Sequence, residues 1–486
     1  PEERAAVVEQ TARLKALQEE PDPPEALAKI PALTLADLPR TNAPLPIERE
    51  VLAGIRTFTH PLATNGVIYL DLGFDMRRLS GKYLPLMSVF SRALTQTGTA
   101  TEDFVALSQR IGRSTGGIHA TRWVATKRER GGTAAWLFLR GKAVPDKAGE
   151  LIAILRDVLT SARLDNRERI RQMVLEEKAG FESGLAGRGN GIVTSRLRAQ
   201  FNESDWAGEQ MGGVSYYFAL KELARRIDND WESVQADLEA MRRELLHRGG
   251  MVANVTAEGP AIDALRPRLA DFLAGLPESG GEGSGWGFAP AARSEGLTFP
   301  GQVNYVAKGG NLIDLGFTPT GGSTVAVRHL NTTYLWDRIR VQGGAYGGSS
   351  GLDTNSGGFS FSSYRDPNLL ATIANYDGAA AYLRQGIGEQ DLIRSIIGVI
   401  GTIDTYRLPD AKGFTSLLFE LSGETEELRQ QRREEVLGAT ARDFLALAEA
   451  LDQLARHGRV VVLGPESAIR AANDERGGFL EVTKVM

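Results

Sequence analysis

Three kinds of side chain in this sequence have types and spacing suited to chemistry: scattered histidines, a serine framed by glycines, and an arginine–tyrosine pair among glycines. Hydrolysis at a protein-bound zinc needs about three protein ligands, often two histidines one helical turn apart, with a carboxylate as base. The histidines are His60, His119, His247, His329 and His457. No two lie within a turn of each other, and neither His-Glu-x-x-His nor His-x-x-Glu-His occurs. The expectation is therefore no metal site in this chain, since isolated histidines usually sit at surfaces or caps. Gly112-Arg113-Ser114-Thr115-Gly116 fits the Gly-x-Ser-x-Gly nucleophile elbow, which works only between a strand and a helix. Here the context is reversed, helix-like before and strand-like after, so Ser114 reads as part of a polar turn. Gly187-Arg188-Gly189-Asn190-Gly191 lies between amphipathic helices, not after a strand, and reads as a helix-breaking loop rather than a phosphate cradle.

The densest unusual stretch is LWDRIRVQGGAYGGSSG, residues 335–351. The pattern predicts a helix ending near Arg340, then Gly343 and Gly344, then Tyr346, then two more glycines. Arg340 and Tyr346 can thus project together from the junction of a helix end and a strand. Glycines on both sides remove side chains and let another backbone approach Tyr346. A guanidinium can grip a carbonyl or carboxylate, and a neutral phenol can donate to a developing oxyanion. The structural alternative is a helix cap and hairpin, with Arg340 in a salt bridge and Tyr346 as packing.

The elements that must position these groups are legible as runs of period 2 and 3.6. Residues 2–20 are charged and alanine-rich with helical spacing, and they end at Pro21-Asp22-Pro23-Pro24. REVLAGIRTFTH and TNGVIYLDLGFDM read as strands with Asn65-Gly66 turn chemistry between them. Two amphipathic helices follow, then a long hairpin around residues 129–132, and helices dominate from Asp146 to about residue 248. Within these, 164–182 reads as a solvated helix that buries a stripe of Leu164, Ile170, Met173 and Val174. MVANVT is a strand and GPAIDALRPRLADFLAGL a helix. Residues 277–296 are rich in Gly and Ser without apolar period, which marks a linker.

A second run of the same order follows. VNYVAKG and NLIDLGFTPT read as strands, GGAYGGSSG and GGFSFSSYRD as a hairpin, then four helices, the strand RVVVLGP, a helix and a last strand FLEVTKV. IYLDLGFD (68–75) matches NLIDLGFT (311–318), and STGGI (114–118) matches VQGGA (341–345). The expectation is an α+β fold of two homologous domains, each a mostly antiparallel sheet packed with helices. The segments are 1–45, a helical linker; 46–276, the first domain; 277–296, the Gly/Ser-rich linker; and 297–486, the second domain.

Composition sets outer bounds. The 486 residues carry 56 Lys+Arg against 61 Asp+Glu, a net −5 that argues against nucleic acid or an anionic membrane as the main partner. No apolar run approaches the ~18–20 residues of a membrane span. The absence of cysteine excludes disulfides and thiolate chemistry. It fits a soluble bacterial cytoplasmic protein and is equally compatible with the periplasm.

RVQGGAYGG closely resembles the substrate-binding motif in the C-terminal half of the insulinase/pitrilysin family of zinc metallopeptidases, nearest to its branch of presequence proteases and bacterial relatives. The opening through DPPEALAKIPALTLADLPR resembles the end of the helical linker joining that family's halves. TNGVIYLDLGFD and GEQMGGVSYYFALKEL resemble its third domain, and NTTYLWDRIRVQGGAYGG to the end resembles its fourth. The resemblance implies a non-catalytic half that closes, clamshell-like, with a zinc-bearing N-terminal half around a short unstructured peptide. By that resemblance Arg340 would hold a peptide carbonyl, and Tyr346 would hydrogen-bond the scissile carbonyl oxygen beside Gly343 and Gly344. The family's zinc helix corresponds to LPLMSVFSRALTQTGT (84–99), where the ligand positions fall on Val89 and Ala93 and the base on Arg92. None can bind zinc, so the implied zinc lies in the other half. The linker-like opening and the initial Pro1 fit a fragment or separate subunit, and this chain alone is expected to be inactive. The alternative is a non-enzymatic binding or scaffold protein of the same fold.

Overall fold

Runs of β-branched and aromatic residues assemble into two mixed sheets of six strands each. The computed structural model describes residues 2–486 apart from 21, 28, 129–131, 279–282, 284 and 290–292. The first sheet holds β1 (Glu48–Leu52), β2 (Ile55–Pro61), β3 (Ile68–Asp75), β4 (Ile118–Thr126), β5 (Thr133–Ala143) and β6 (Met251–Ala257). Their order is β1-β2-β6-β3-β5-β4. The second sheet holds β7 (Glu295–Thr298), β8 (Tyr305–Asn311), β9 (Gly347–Leu352), β10 (Gly358–Tyr364), β11 (Arg459–Gly464) and β12 (Glu481–Lys484), ordered β12-β7-β11-β8-β10-β9.

Five strands of each sheet follow one plan. A first strand pairs in parallel with the last (β2 with β6, β7 with β11), and the remaining contacts among the five are antiparallel. The sixth strand breaks the symmetry. β1 precedes and runs antiparallel to β2, whereas β12 follows and runs parallel to β7. This is the duplicated α+β fold, with helices against the sheets. Residues 40–486, with both sheets, form one compact unit. Residues 1–39 form another, whose helix Glu2–Glu19 is exposed where its side chains are described.

Several local expectations need correction. REVLAGIRTFTH is not one strand: Ala53 (φ 49°) and Gly54 (φ 81°) make a two-residue turn between β1 and β2. Asn65 and Gly66 do turn with positive φ, but β6 inserts between β2 and β3, so they close no hairpin. NLIDLGFTPT is not a strand. It starts at the last residue of β8 and turns back through Gly316 (φ 88°), with the Phe317 N–H donating to Leu312 O at 2.9 Å. Its match to IYLDLGFD is therefore out of step, because the counterpart of β3 is YVAKGGN. The match of STGGI to VQGGA does fall at equivalent places, just before the hairpins β4–β5 and β9–β10. The tip of the first hairpin, 129–131, lies outside the described residues.

The glycine-rich string at 187–191 does not break a helix. It lies inside one helix of 32 residues, Arg167–Arg198. A Cβ on Gly189 would stand 2.5 Å from the Tyr305 ring, so the glycine is required by the close approach of β8. Ile170 and Val174 join the core of the first sheet, and Leu164 and Met173 of the same stripe are also fully buried. Further along, Phe181, Leu185, Ile192, Val193 and Leu197 pack with Leu297, Tyr305, Val461 and Leu463 of the second sheet. One helix thus completes both cores. Within 277–296, Trp286 is buried, donates Nε1 to Leu79 O at 3.2 Å and carries Arg77 over its ring.

His329, on the helix Gly321–Thr332, is buried against Tyr382 and Phe444. Burial pushes its imidazole below the usual histidine range, with Asp391 pulling back part of the way. The folded chain therefore takes up this proton less readily than the unfolded chain. The stability it contributes is full above about pH 6.5 and is lost as pH falls toward the folded value. The urea midpoint should drop from about pH 7.5 to about pH 5.5. The drop should be smaller in His329→Gln, and an equal drop in that variant would assign it to other groups.

Candidate functional site

Trp336–Val341 is a π-helical turn, with the Gln342 N–H donating to Asp337 O at 2.8 Å. Such turns are rare and recur at functional sites because the extra residue per turn re-aims the side chains that follow. Here the chain must leave that turn and enter β9 at once. Gly343 permits it: a Cβ there would meet Ile339 O at 2.6 Å. Gly344 takes φ 76° and donates its N–H to Arg340 O at 3.1 Å, and Ala345 donates to Ile339 O at 3.1 Å. The geometry thus gives Gly343 and Gly344 a capping role in the turn itself.

The loop is held from beneath. Asn368 Nδ2 donates to Gly343 O at 2.6 Å. The buried Asp366 carboxylate accepts from the Asn368 N–H at 2.9 Å and from the Thr372 hydroxyl at 2.7 Å. Burial raises the Asp366 carboxyl above its ordinary range, opposed by these hydrogen bonds. Sequence reading missed Asp366 and Asn368. Their only signal is a turn-type string, RDPN, after the second hairpin strand.

On this frame the two sequence-predicted side chains come together. The Arg340 guanidinium lies 4.2 Å from the Trp336 ring centre and 5.7 Å from that of Tyr346. Tyr346 leans edge-on against Tyr364 at 5.6 Å, its backbone N–H on Tyr364 O at 3.0 Å. Its ring is 66% exposed and Trp336 is 50% exposed. Among the described residues, no carboxylate pairs with Arg340 and no group hydrogen-bonds the Tyr346 hydroxyl. The salt-bridge and packing alternative for this pair does not describe the structure. A cation held between two aromatic faces keeps its N–H edges free for an incoming acceptor. Trp336, four residues before Arg340, is the part that sequence reading did not single out.

The other candidates do not converge. Ser114 is buried at the end of the helix Phe104–Ser114, ahead of β4, which is the reverse of an elbow. His60 lies in β2, His119 in β4, His247 before β6, His329 and His457 on separate helices. Among the described residues, no group of three or more His, Asp or Glu is placed to hold a metal ion. On the helix Met87–Gln96, Val89 and Ala93 are fully buried in the core, and Arg92 pairs with Glu176 and Glu177. Hydrocarbon and a guanidinium at those positions do not fit zinc. No described helix is long and apolar enough to cross a membrane.

Comparison with known proteins agrees with this geometry. Residues 1–223 match the model for the region associated with M16 peptidases of subgroup C, and 294–466 match "PreP C-terminal domain". The chain is 40% identical to presequence protease 1, chloroplastic/mitochondrial, of Arabidopsis thaliana, over 100% of its own length and 45% of that protein. It is 27% identical to protein HypA of Clostridium perfringens, over 98% of its length and 49% of that protein. It therefore spans about half the length of the curated relatives it matches. Among solved structures, the peptidase M16 inactive domain from Pseudomonas fluorescens shares the fold at TM-score 0.63 and 17% identity, covering 87% of this chain and 98% of that one. The periplasmic protease PqqL from Escherichia coli does so at TM-score 0.55 and 13% identity, covering 90% and 50%.

Proposed function

The chain belongs to the insulinase/pitrilysin (M16) peptidase family, as a counterpart of the C-terminal half of presequence proteases, and from this we propose that it is the substrate-binding half of a zinc metalloendopeptidase for short unstructured peptides. The observation that carries the reading is the pairing of an uncompensated Arg340 with a free Tyr346 hydroxyl on one exposed ledge. Arg340 holds a backbone carbonyl of the peptide. Tyr346 donates to the oxygen of the carbonyl under attack, whose negative charge grows in the transition state. Zinc and the general base come from a partner half, either joined in one chain or separate, because the residues here do not fit the metal. A scaffold protein would have no use for an unpaired guanidinium beside an unpaired phenol.

The test is hydrolysis of a fluorogenic unstructured peptide of roughly 15–20 residues, about the length that an extended chain needs to span a domain-sized chamber. The purified chain alone should show no cleavage, with or without added zinc. Adding a zinc-bearing half of the same family should produce cleavage that a chelator abolishes. Chelator-sensitive cleavage by this chain alone would overturn the assignment.

A further inference from the structure

A cleft of about 730 Å³ opens between the edge strand β4, the helix Glu203–Gly212 and the C-terminal part of the long helix, with Asp353 after β9 at its margin. That volume is in the range of small-ligand sites. Its charged lining is Arg122, Arg198, Asp205 and Asp353. The formal charges cancel, but their distribution is uneven. Both carboxylates sit on Arg198, at 3.0 Å from Asp205 and 3.4 Å from Asp353. Arg122 makes no ion pair or hydrogen bond with any described residue. Burial pushes its guanidinium down, with Glu177 acting the other way. A partly buried cation without a partner is unfavourable unless something else supplies the acceptor.

The rest of the lining suits a small polar group. Asn190, Thr194 and Ser195 offer neutral donors from the long helix. Gly191, Gly208 and Gly212 face open space: a Cβ on any of them meets nothing within 4 Å. So the string at 187–191 serves twice, Gly189 admitting Tyr305 and Asn190-Gly191 bordering the cleft. From Tyr346 the strand β9 leads to Asp353, about 23 Å at the rise of an extended chain. A peptide gripped at Tyr346 covers that span with about seven extended residues.

We propose that this cleft binds a carboxylate carried by the bound peptide, with Arg122 as its counter-ion. The inference rests on the peptide-binding reading above. A monoanion matches one free guanidinium, whereas a phosphate dianion would meet Asp205 and Asp353 at close range. The carboxylate can come from the peptide C-terminus or from an acidic side chain near it.

Fluorescence anisotropy with labelled unstructured peptides of about ten residues tests this. Three are needed: one with a free C-terminus and no acidic side chain, its amide, and the amide with a Glu near the end. The free acid should bind the wild-type chain about tenfold or more tighter than the plain amide. The Glu-bearing amide recovers this only if a side chain can supply the group, which decides between the two sources. In Arg122→Gln the acid and amide should bind alike. They should do so again in Gly208→Leu, which fills the cleft while leaving Arg122 in place. An acid-to-amide ratio that is the same in wild type and both variants would overturn the proposal. If no peptide binds the wild-type chain, the peptide-binding reading falls. The cleft is then judged by saturation-transfer NMR with N-acetylglycine: transfer lost in Arg122→Gln upholds a carboxylate site, and equal transfer ends it.

Discussion

Replacing Tyr346 with Phe should lower peptide turnover by the two combined halves about a hundredfold or more, with no change in thermal midpoint. Removing one donor to a developing oxyanion typically costs about 3–4 kcal/mol of transition-state stabilisation. The folding half of the expectation follows from exposure. The ring is 66% exposed, and its contacts with Tyr364 and Arg340 survive loss of the hydroxyl. The effect should appear mainly in kcat, because a donor aimed at charge that develops late contributes little to ground-state binding. Turnover within about twofold of wild type would remove Tyr346 from the chemistry. The same measurement on a scaffold protein would find no turnover to lose.

The largest effect on stability should come from Arg196→Met. Arg196 leaves the long helix to reach Glu209 at 3.3 Å and Glu295 at 2.7 Å, two carboxylates with almost no exposure. It thereby ties that helix to the helix Glu203–Gly212 and to β7 of the second sheet. Methionine fills similar space but leaves Glu209 buried without its cation. Glu295 keeps only Arg293, itself 41% exposed in its side chain. Breaking a buried pair from one side costs about 3–5 kcal/mol. The expected loss in urea unfolding is at the lower end, about 3 kcal/mol, because the Ser215 N–H still donates to Glu209 at 2.8 Å. A loss under about 1 kcal/mol would mean that the carboxylates take up protons instead.

What the sequence made legible was local. Strands with strong alternation, such as β3 and β5, and the helix-to-strand junction from Arg340 to Tyr346 depend on neighbours within a few residues. Their patterns carry that information. The misreadings share one cause, a partner distant in the chain. Glycines at 187–191 look like a break until Tyr305 is laid against Gly189. Asp-Leu-Gly at 314–316 looks like a copy of Asp-Leu-Gly at 71–73, but β8 has already ended at Asn311. The parallel pairing of β2 with β6 joins Arg56 to Val252, which no short-range pattern announces. In the site, Arg340 and Tyr346 were legible as types and spacing. The unpaired state of the guanidinium was not, because it depends on which carboxylates fail to arrive.

The long helix also sets a timetable for synthesis. Its second apolar face, from Phe181 to Leu197, finds its partners only when residues from Leu297 onward exist, about a hundred residues later. At about 5–20 residues per second the ribosome needs roughly 5–20 s to make them. During that interval the first sheet can close while half of its own helix still presents Phe181, Leu185, Ile192 and Val193 to water. The nascent chain therefore passes through a stage that invites chaperone capture, and strands β8 and β11 release it by covering that face.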